Sequence, residues 1–591
     1  MPNRRARLLI YTLLLLILPA VVTAGPAGAP QQFVTVSLHD IADDPAQLDD
    51  AGVSSDRLVT FFEWLAGNGW NPVSLDDIER ARRGEKPLPE KAILITVDDG
   101  YRSLYTRIYP LALVYRIPLL AAVVGSWLDA PAGSQVPYGG RTLPRAHFIT
   151  WAQAREMQDS GLVEFASHSY NLHREVLGNP QGNRLPAAVT RRYTPGRGYE
   201  READYRARLR ADLRRSRQQL QRHLGKAPRA IVWPFGRYNQ ITREVAAELG
   251  YRYDVTLDPE PSHLPTPDAP TPYSISRYLP TDNPKLGVWV QAMQFHDPWP
   301  NARRLVPVDP ADFDSASAAE TNRRLGQALE ALLAMGATHV VIDAALPDVD
   351  GGLAATWFPT SQLPMRRDLL SRLAAQMRAR AGVQIILRLP HRRALQTLGS
   401  EQRVLALFRD LARRVPFEGL LLEDVPALDA RAASASQLPW QVREIRQHRD
   451  VSRWPPADAL AIKAFRIAEQ ARPDLQLFWL STADHSLLRA SPLADLTLVP
   501  AALTAPLPFP AGVARYPTNS GRLSRRVGII WWSPAPPDAR ALKAAARTFQ
   551  RRGGTAYGWY PQDLLRDRPA AKQIAPAVSS RTFPARGALK Q

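Results

Sequence analysis

One pattern, repeated twice, constrains this chain most: short apolar segments of strand length, separated by stretches of helical period. Such alternation implies βαβ units and a largely parallel sheet, so the fold class is α/β. The first series has candidate strands at 33–38, 92–97, 119–124, 163–166, 230–233 and 253–257. Helical patterns at 55–67, 151–160 and 200–224 fall between them, with a Gly/Pro/Arg-rich loop at 178–198. Residues 258–272 carry six prolines and read as a linker. A second series follows, with candidate strands at 288–295, 339–343, 383–389, 419–422, 475–480, 496–499, 527–531 and 556–560. Eight strands over about 290 residues match the size of a (β/α)8 TIM-like barrel. The full 591 residues exceed what one core can bury, so two large domains are expected.

The chain has no cysteine. Disulfides, thiolate metal sites, a thiol nucleophile and a lipid anchor through Cys are therefore excluded. The formal net charge is +19, from 75 basic and 56 acidic residues. No basic run carries interleaved aromatics, so nucleic acid is not the expected partner. The excess, nearly all Arg, reads as background composition.

Arg4, Arg5 and Arg7 precede an apolar run at 8–18, extended by Val21 and Val22, and Val22-Thr23-Ala24 offers small residues for cleavage. This is the pattern of a secretory signal peptide over 1–24. A linker at 25–32 would follow. The expected location is the periplasm, as a soluble or signal-anchored protein.

The chemistry-bearing residues cluster at predicted strand ends. Asp98-Asp99 closes the apolar segment 92–97; His168 and His173 follow the segment 163–166; His39 ends the first strand. Ligands sit at the C-terminal ends of parallel strands. One carboxylate and two imidazoles make a donor set for a divalent metal, with positions left for water and substrate. A second carboxylate beside that set is placed to accept a proton.

Thr96-Val97-Asp98-Asp99-Gly100-Tyr101 resembles the first motif of the polysaccharide deacetylase (NodB-homology) family, and His168 to His173 resembles its metal-ligand motif. The spacing of the two histidines, one residue longer than usual, resembles the periplasmic poly-β-1,6-N-acetyl-D-glucosamine (PNAG) N-deacetylase branch. So do Leu38-His39-Asp40, Trp233-Pro234-Phe235-Gly236, and Trp357-Phe358-Pro359 with Leu363-Pro364-Met365-Arg366. The resemblance implies an irregular (β/α) barrel of the deacetylase type over 33–280, and a TIM-like glycan domain over 286–575. A flexible tail would occupy 576–591. It implies that Asp99, His168 and His173 bind one divalent metal, zinc or another transition metal such as nickel, cobalt or iron. Asp98 would be the general base and His39 an acid or orienting group. The Phe235 backbone would support the oxyanion, with Trp233 beside the substrate. The wider family's Leu-x-Ile-x-Arg-His motif has no match, and Ile275-Ser276-Arg277-Tyr278 stands near its place.

For the second domain the resemblance implies binding, or cleavage, of the partly deacetylated polymer. Glycoside cleavage generally needs two carboxyl groups. Glu423-Asp424 at a strand end is one candidate, while residues 498–504 hold no acid where the branch has one. A glycan-binding barrel is the expectation, with Asp343, Asp348 and Asp350 near the cationic product. Trp299, Trp357, Trp531, Trp532, Trp559 and Tyr560 form a candidate stacking platform. The expected partners are an N-acetylglucosamine polymer and an outer-membrane export porin. Two function classes stay open: a metal-dependent N-deacetylase releasing acetate, and a noncatalytic glycan-binding or export scaffold. Chitin or peptidoglycan is the alternative substrate.

Overall fold

The segment Ala92–Val97 is buried at every position, as a central parallel strand covered on both faces requires. The computed structural model describes residues 32–258, 260–265, 272–294, 302–423, 439–481, 491–503, 526–551 and 553–579, with the side chains of 439–441 excepted. The expected signal peptide and most of the linker lie outside these residues.

Seven parallel strands build the first domain: β1 (Gln32–Leu38), β2 (Ala92–Val97), β3 (Leu119–Val123), β4 (Val163–Ser167), β5 (Ala230–Val232), β6 (Tyr253–Val255) and β7 (Tyr273–Ile275). They lie side by side in chain order. The sheet curls until residue 278, just past β7, meets β1. There Ser37 N–H donates to Tyr278 O at 2.9 Å, and Tyr278 N–H to Thr35 O at 2.9 Å. This is the irregular barrel expected. Helix α1 (Ser55–Gly67) packs outside it through Leu58, Phe61, Phe62 and Leu65, and helix α2 (Glu202–Leu224) through every third or fourth residue from Tyr205 to Leu224.

The apolar stretch expected as a strand at 288–295 is a helix instead, α3 (Leu286–Met293). Short apolar runs do not distinguish strand from buried helix by period alone. Trp289 and Met293, one helical turn apart, are buried in the first domain's core, and the Trp289 ring lies 4.2 Å from that of Phe61.

The second domain is a closed barrel of eight parallel strands: β8 (Arg303–Val308), β9 (His339–Asp343), β10 (Gln384–Arg388), β11 (Gly419–Glu423), β12 (Gln476–Leu480), β13 (Leu496–Ala502), β14 (Val527–Trp532) and β15 (Ala556–Tyr560). Its first strand, β8, was hidden in the sequence by two arginines and a proline. Arg304 is buried there because Val578 O and Thr555 O accept its guanidinium hydrogens. Helices α4 (Glu401–Arg414) and α5 (Pro456–Ala471) pack against each other on the outside. Of the expected tail, residues 576–578 complete a helix, Ala571–Val578, with Val578 buried.

The two domains touch along one side. The loop after His173, expected as irregular, forms two short hairpins that reach the second domain. Tyr199 donates to Asp368 at 2.7 Å and Asn179 to Ser371 at 2.9 Å. Arg413 pairs with Glu202, and Arg237 with Asp474, each at 2.8 Å.

Candidate metal centre

Strand β2 delivers Asp98 and Asp99 to the mouth of the first barrel. Asp99 and Gly100 both adopt left-handed backbone, φ 70° and 73°. Asp tolerates that region better than most residues, and Gly without cost. The chain therefore turns sharply, leaving both carboxylates buried. Strand β4 delivers His168. Its Nδ1 lies 2.8 Å from Val232 O, so Nδ1–H donates outward and Nε2 faces inward with its lone pair. The loop to His173 is held from beneath: the Asp212 carboxylate on α2 accepts Tyr170 N–H at 2.9 Å and Asn171 N–H at 2.8 Å.

These elements bring three ligand atoms together. Asp99 Oδ1 lies 3.3 Å from His168 Nε2 and 3.4 Å from His173 Nε2, and one donor atom from each residue falls within 4.8 Å of the others. Asp99 Oδ1 is buried and, among the described residues, accepts no hydrogen bond. Its partner oxygen Oδ2 accepts the Tyr138 hydroxyl at 3.2 Å. An orphaned carboxylate oxygen facing two imidazole nitrogens fits a cation. Tetrahedral ligands about 2.1 Å from zinc stand ~3.4 Å apart, which matches these separations. Burial acts to raise the Asp99 carboxyl, but His173 and His168 outweigh it and hold it far below the usual carboxylate range. Burial pushes His173 down to about 4, leaving the neutral ring that a metal requires.

Asp98 sits beside this set. Its Oδ2 is 3.8 Å from His39 Nε2, and its Oδ1 accepts the Arg277 guanidinium at 2.8 Å. Arg277 Nη1 also donates to Ser37 at 3.0 Å and Thr96 at 2.9 Å, and Nε to Thr256 O at 3.1 Å. Burial works to raise Asp98, yet the Arg277, His168 and His39 charges prevail and hold it below the usual carboxylate value. Arg277, noted in the sequence only as standing near a missing family motif, and Tyr138, not noted at all, contact the two aspartates of the site. A lone Arg directly after a strand was the available signal for Arg277. Nothing local marked Tyr138, which comes from an insertion hairpin.

The turn Pro234–Gly236 forms the other wall. Phe235 has φ 58° and places its ring 4.3 Å from His173, half-exposed at the mouth. Trp233 does not reach the substrate position expected for it. It is fully buried, its indole N–H aimed at Asp254 3.4 Å away, because a strand-end residue alternates inward beneath the turn.

The model of the family described as polysaccharide deacetylase matches residues 85–253, the stretch holding Asp98, Asp99, His168, His173 and Phe235. The description "hypothetical glycosyl hydrolase family 13" matches residues 311–391. A poly-β-1,6-N-acetyl-D-glucosamine N-deacetylase of Escherichia coli (strain K12) is 30% identical, over 93% of this chain and 92% of that protein. The chain belongs to this N-deacetylase family. Among solved structures, the deacetylase domain of BpsB from Bordetella bronchiseptica is 43% identical over 42% of this chain and 97% of its own, with TM-score 0.38. A de-N-acetylase from Aggregatibacter actinomycetemcomitans is 36% identical over 44% and 100%, with TM-score 0.42.

In this family member, the second barrel's candidates separate. Asp343 and Glu423 end β9 and β11, and Arg388 on the strand between them pairs with both, bidentate on Asp343 and at 3.4 Å from Glu423. Asp424, Trp299 and part of the 498–504 stretch lie outside the described residues. Trp357, Trp531 and Trp559 are not part of an open platform. Each is about 1% exposed and packed into the barrel's core cluster, Trp531 and Trp559 from strand positions that face the helical layer and Trp357 from the loop after the short strand Leu353–Thr356. Trp532 and Tyr560, opposite each other on β14 and β15, are 49% and 51% exposed.

Proposed function

We propose that this protein removes N-acetyl groups from poly-β-1,6-N-acetyl-D-glucosamine with the help of one divalent metal. The observation that carries this reading is the orphaned Asp99 Oδ1 between two inward-facing imidazole nitrogens, with Asp98 held ionised alongside. A divalent metal held by Asp99, His168 and His173 supplies Lewis acidity toward the acetamide carbonyl and the attacking water. Zinc suits this donor set, and nickel, cobalt or iron would be accepted by it.

Asp98 Oδ2 takes the proton of the attacking water, because Arg277 occupies Oδ1 and keeps the group a base rather than an acid. His39 Nε2, beside Oδ2, orients the amide, and the proton taken up by Asp98 passes through it to the departing nitrogen. The C–N bond breaks, acetate leaves, and the sugar keeps a free amine. Phe235 and its turn shape the acyl side of the pocket, where a backbone N–H would steady the oxyanion.

The second barrel binds the partly deacetylated glycan and does not cleave it. Arg388 between Asp343 and Glu423 supports this, since its guanidinium engages both carboxylates instead of leaving them to flank a glycosidic bond. Sugar faces would stack on Trp532 and Tyr560, the two aromatics of that platform left open among the described residues. The leader-like segment at 1–24 supports a periplasmic setting, with an outer-membrane export porin as partner; among the described residues no helix is long and apolar enough to cross a membrane.

The test is acetate release from β-1,6-linked and β-1,4-linked N-acetylglucosamine oligomers, by metal-stripped and zinc-reloaded protein. Release confined to the β-1,6 series and restored by metal is expected. Absence of acetate with every metal would leave only a binding scaffold.

A further inference from the structure

Between the two domains lies a cavity of about 100 Å³, walled by the hairpin loop, α2 and Arg237 on one side and by α4 and the end of α5 on the other. Its lining holds seven arginines and one carboxylate, Asp474. Some of this charge is accounted for. Arg237 pairs with Asp474, Arg378 with Glu418, and Arg191 and Arg413 share the single carboxylate of Glu202. Glu202 is shared further with Arg206.

The rest is not accounted for. Arg409 has no carboxylate partner among the described residues. Arg414 lies over the Tyr199 ring at 4.7 Å, with Nη1 buried and unbonded. Arg472 lies over Phe417 at 5.1 Å, with Nε buried and unbonded. The C-termini of α4 and α5, which carry Arg414 and Arg472, offer roughly half a negative charge each. With the Asp368 carboxylate beside Arg414 counted as well, about two positive charges remain facing one another. The strain is visible in the groups themselves. Burial, joined by the Arg378 charge, pushes Arg472 down to about 10, and Arg191 is lowered by burial and by Arg413 from across the cavity.

We infer that this interdomain cavity is a binding site for a small oxyanion of two or more negative charges, of the phosphate or sulfate type. Guanidinium forks match such oxygens in bidentate geometry, which a halide cannot reproduce. The cavity's lining includes none of the metal-centre residues. Because its arginines come from both domains, the anion locks their relative position, a role separate from the deacetylase chemistry.

Calorimetric titration of inorganic phosphate into the full chain, in chloride at constant ionic strength, tests this. One site per chain is expected, with a phosphate-dependent rise in melting temperature. Arg409→Gln should weaken phosphate at least about tenfold, and so should Arg414→Gln, since a charge-assisted bond of this kind is worth that factor. Arg409 has no partner among the described residues, so its variant should melt normally in chloride and release acetate at the native rate. Arg214→Gln, an exposed position on α2, should change nothing. The inference is overturned if chloride at equal ionic strength stabilises as well as phosphate, or if Arg409→Gln and Arg414→Gln leave phosphate affinity intact.

Discussion

Arg277 and Asp98 form an ion pair sealed from solvent: 2.8 Å apart, with side-chain exposures of 0% and 3%. The guanidinium comes from just beyond the last strand of the sheet and the carboxylate from the second. The pair therefore closes the barrel and charges the candidate base at once. Arg277→Gln would leave Asp98 buried and uncompensated. A loss of about 3–5 kcal/mol in stability is expected, read by urea unfolding. Retention of native stability would show that Asp98 takes up a proton at no cost, contrary to its assigned role.

The two adjacent aspartates should separate cleanly. Asp99→Asn removes the negative charge between the histidines, leaving only a neutral amide there, and should abolish stoichiometric zinc binding. Asp98→Asn should keep the metal and lower acetate release by about 10²–10⁴-fold. Metal content by mass spectrometry, measured beside turnover, decides it. Zinc loss in Asp98→Asn would mean that their roles are exchanged.

Asp212 touches neither metal nor substrate, yet it accepts the two backbone N–H groups between His168 and His173. With Asp212→Ala those donors lose their partner and the ligand loop its fixed shape. Zinc affinity, measured by competition with a chromophoric chelator, should fall about 10–100-fold. Unchanged affinity would mean that the loop holds its shape through its other hydrogen bonds, those of Ser169 N–H to Ser167, Leu172 N–H to Ser169 and Ser126 N–H to Tyr170 O among them.

Glu79, on the helix Leu75–Arg82, is buried against three donors: Arg82 at 2.7 Å, Arg252 at 2.9 Å and the Tyr253 hydroxyl. The Arg82 hydrogen bond, opposed by burial and joined by Tyr253 and Arg252, holds its carboxyl at about 2. The folded value lies below the unfolded one, so this stability is fully present above pH ~4.5 and disappears as pH falls toward 2. The shift corresponds to about 3 kcal/mol. Glu79→Gln should flatten the decline in urea-unfolding stability between pH 5 and pH 2.5 by about that amount. An unaltered pH profile would remove Glu79 from the acid response.

Much of this molecule was legible in the chain because its signals are local. Apolar runs flanked by helical period identify parallel strands, and Asp98-Asp99 or His168 after such runs mark the ends where a site forms. The misreadings share a cause. Residues 288–295 are as apolar as a strand, and packing of Trp289 and Met293 into the first domain's core goes with a helix over Leu286–Met293. Arg303–Val308 looks too polar for a strand, and carbonyls such as those of Thr555 and Val578, with the Tyr557 ring, let Arg304 inside. Trp357 and Trp559 carry no local mark of which face they occupy.

The sequence by itself determined the α/β class, the two-domain scale and the residue types at the metal centre, since each follows from period, length or side-chain chemistry. Only the tertiary structure decided what those residues become. Arg277 reaches Asp98 across 179 positions of chain, Tyr138 reaches Asp99 across 39, and the interdomain cavity gathers arginines from both domains. Electrostatic partners act through space over a few ångströms, and separation along the chain carries no record of that distance.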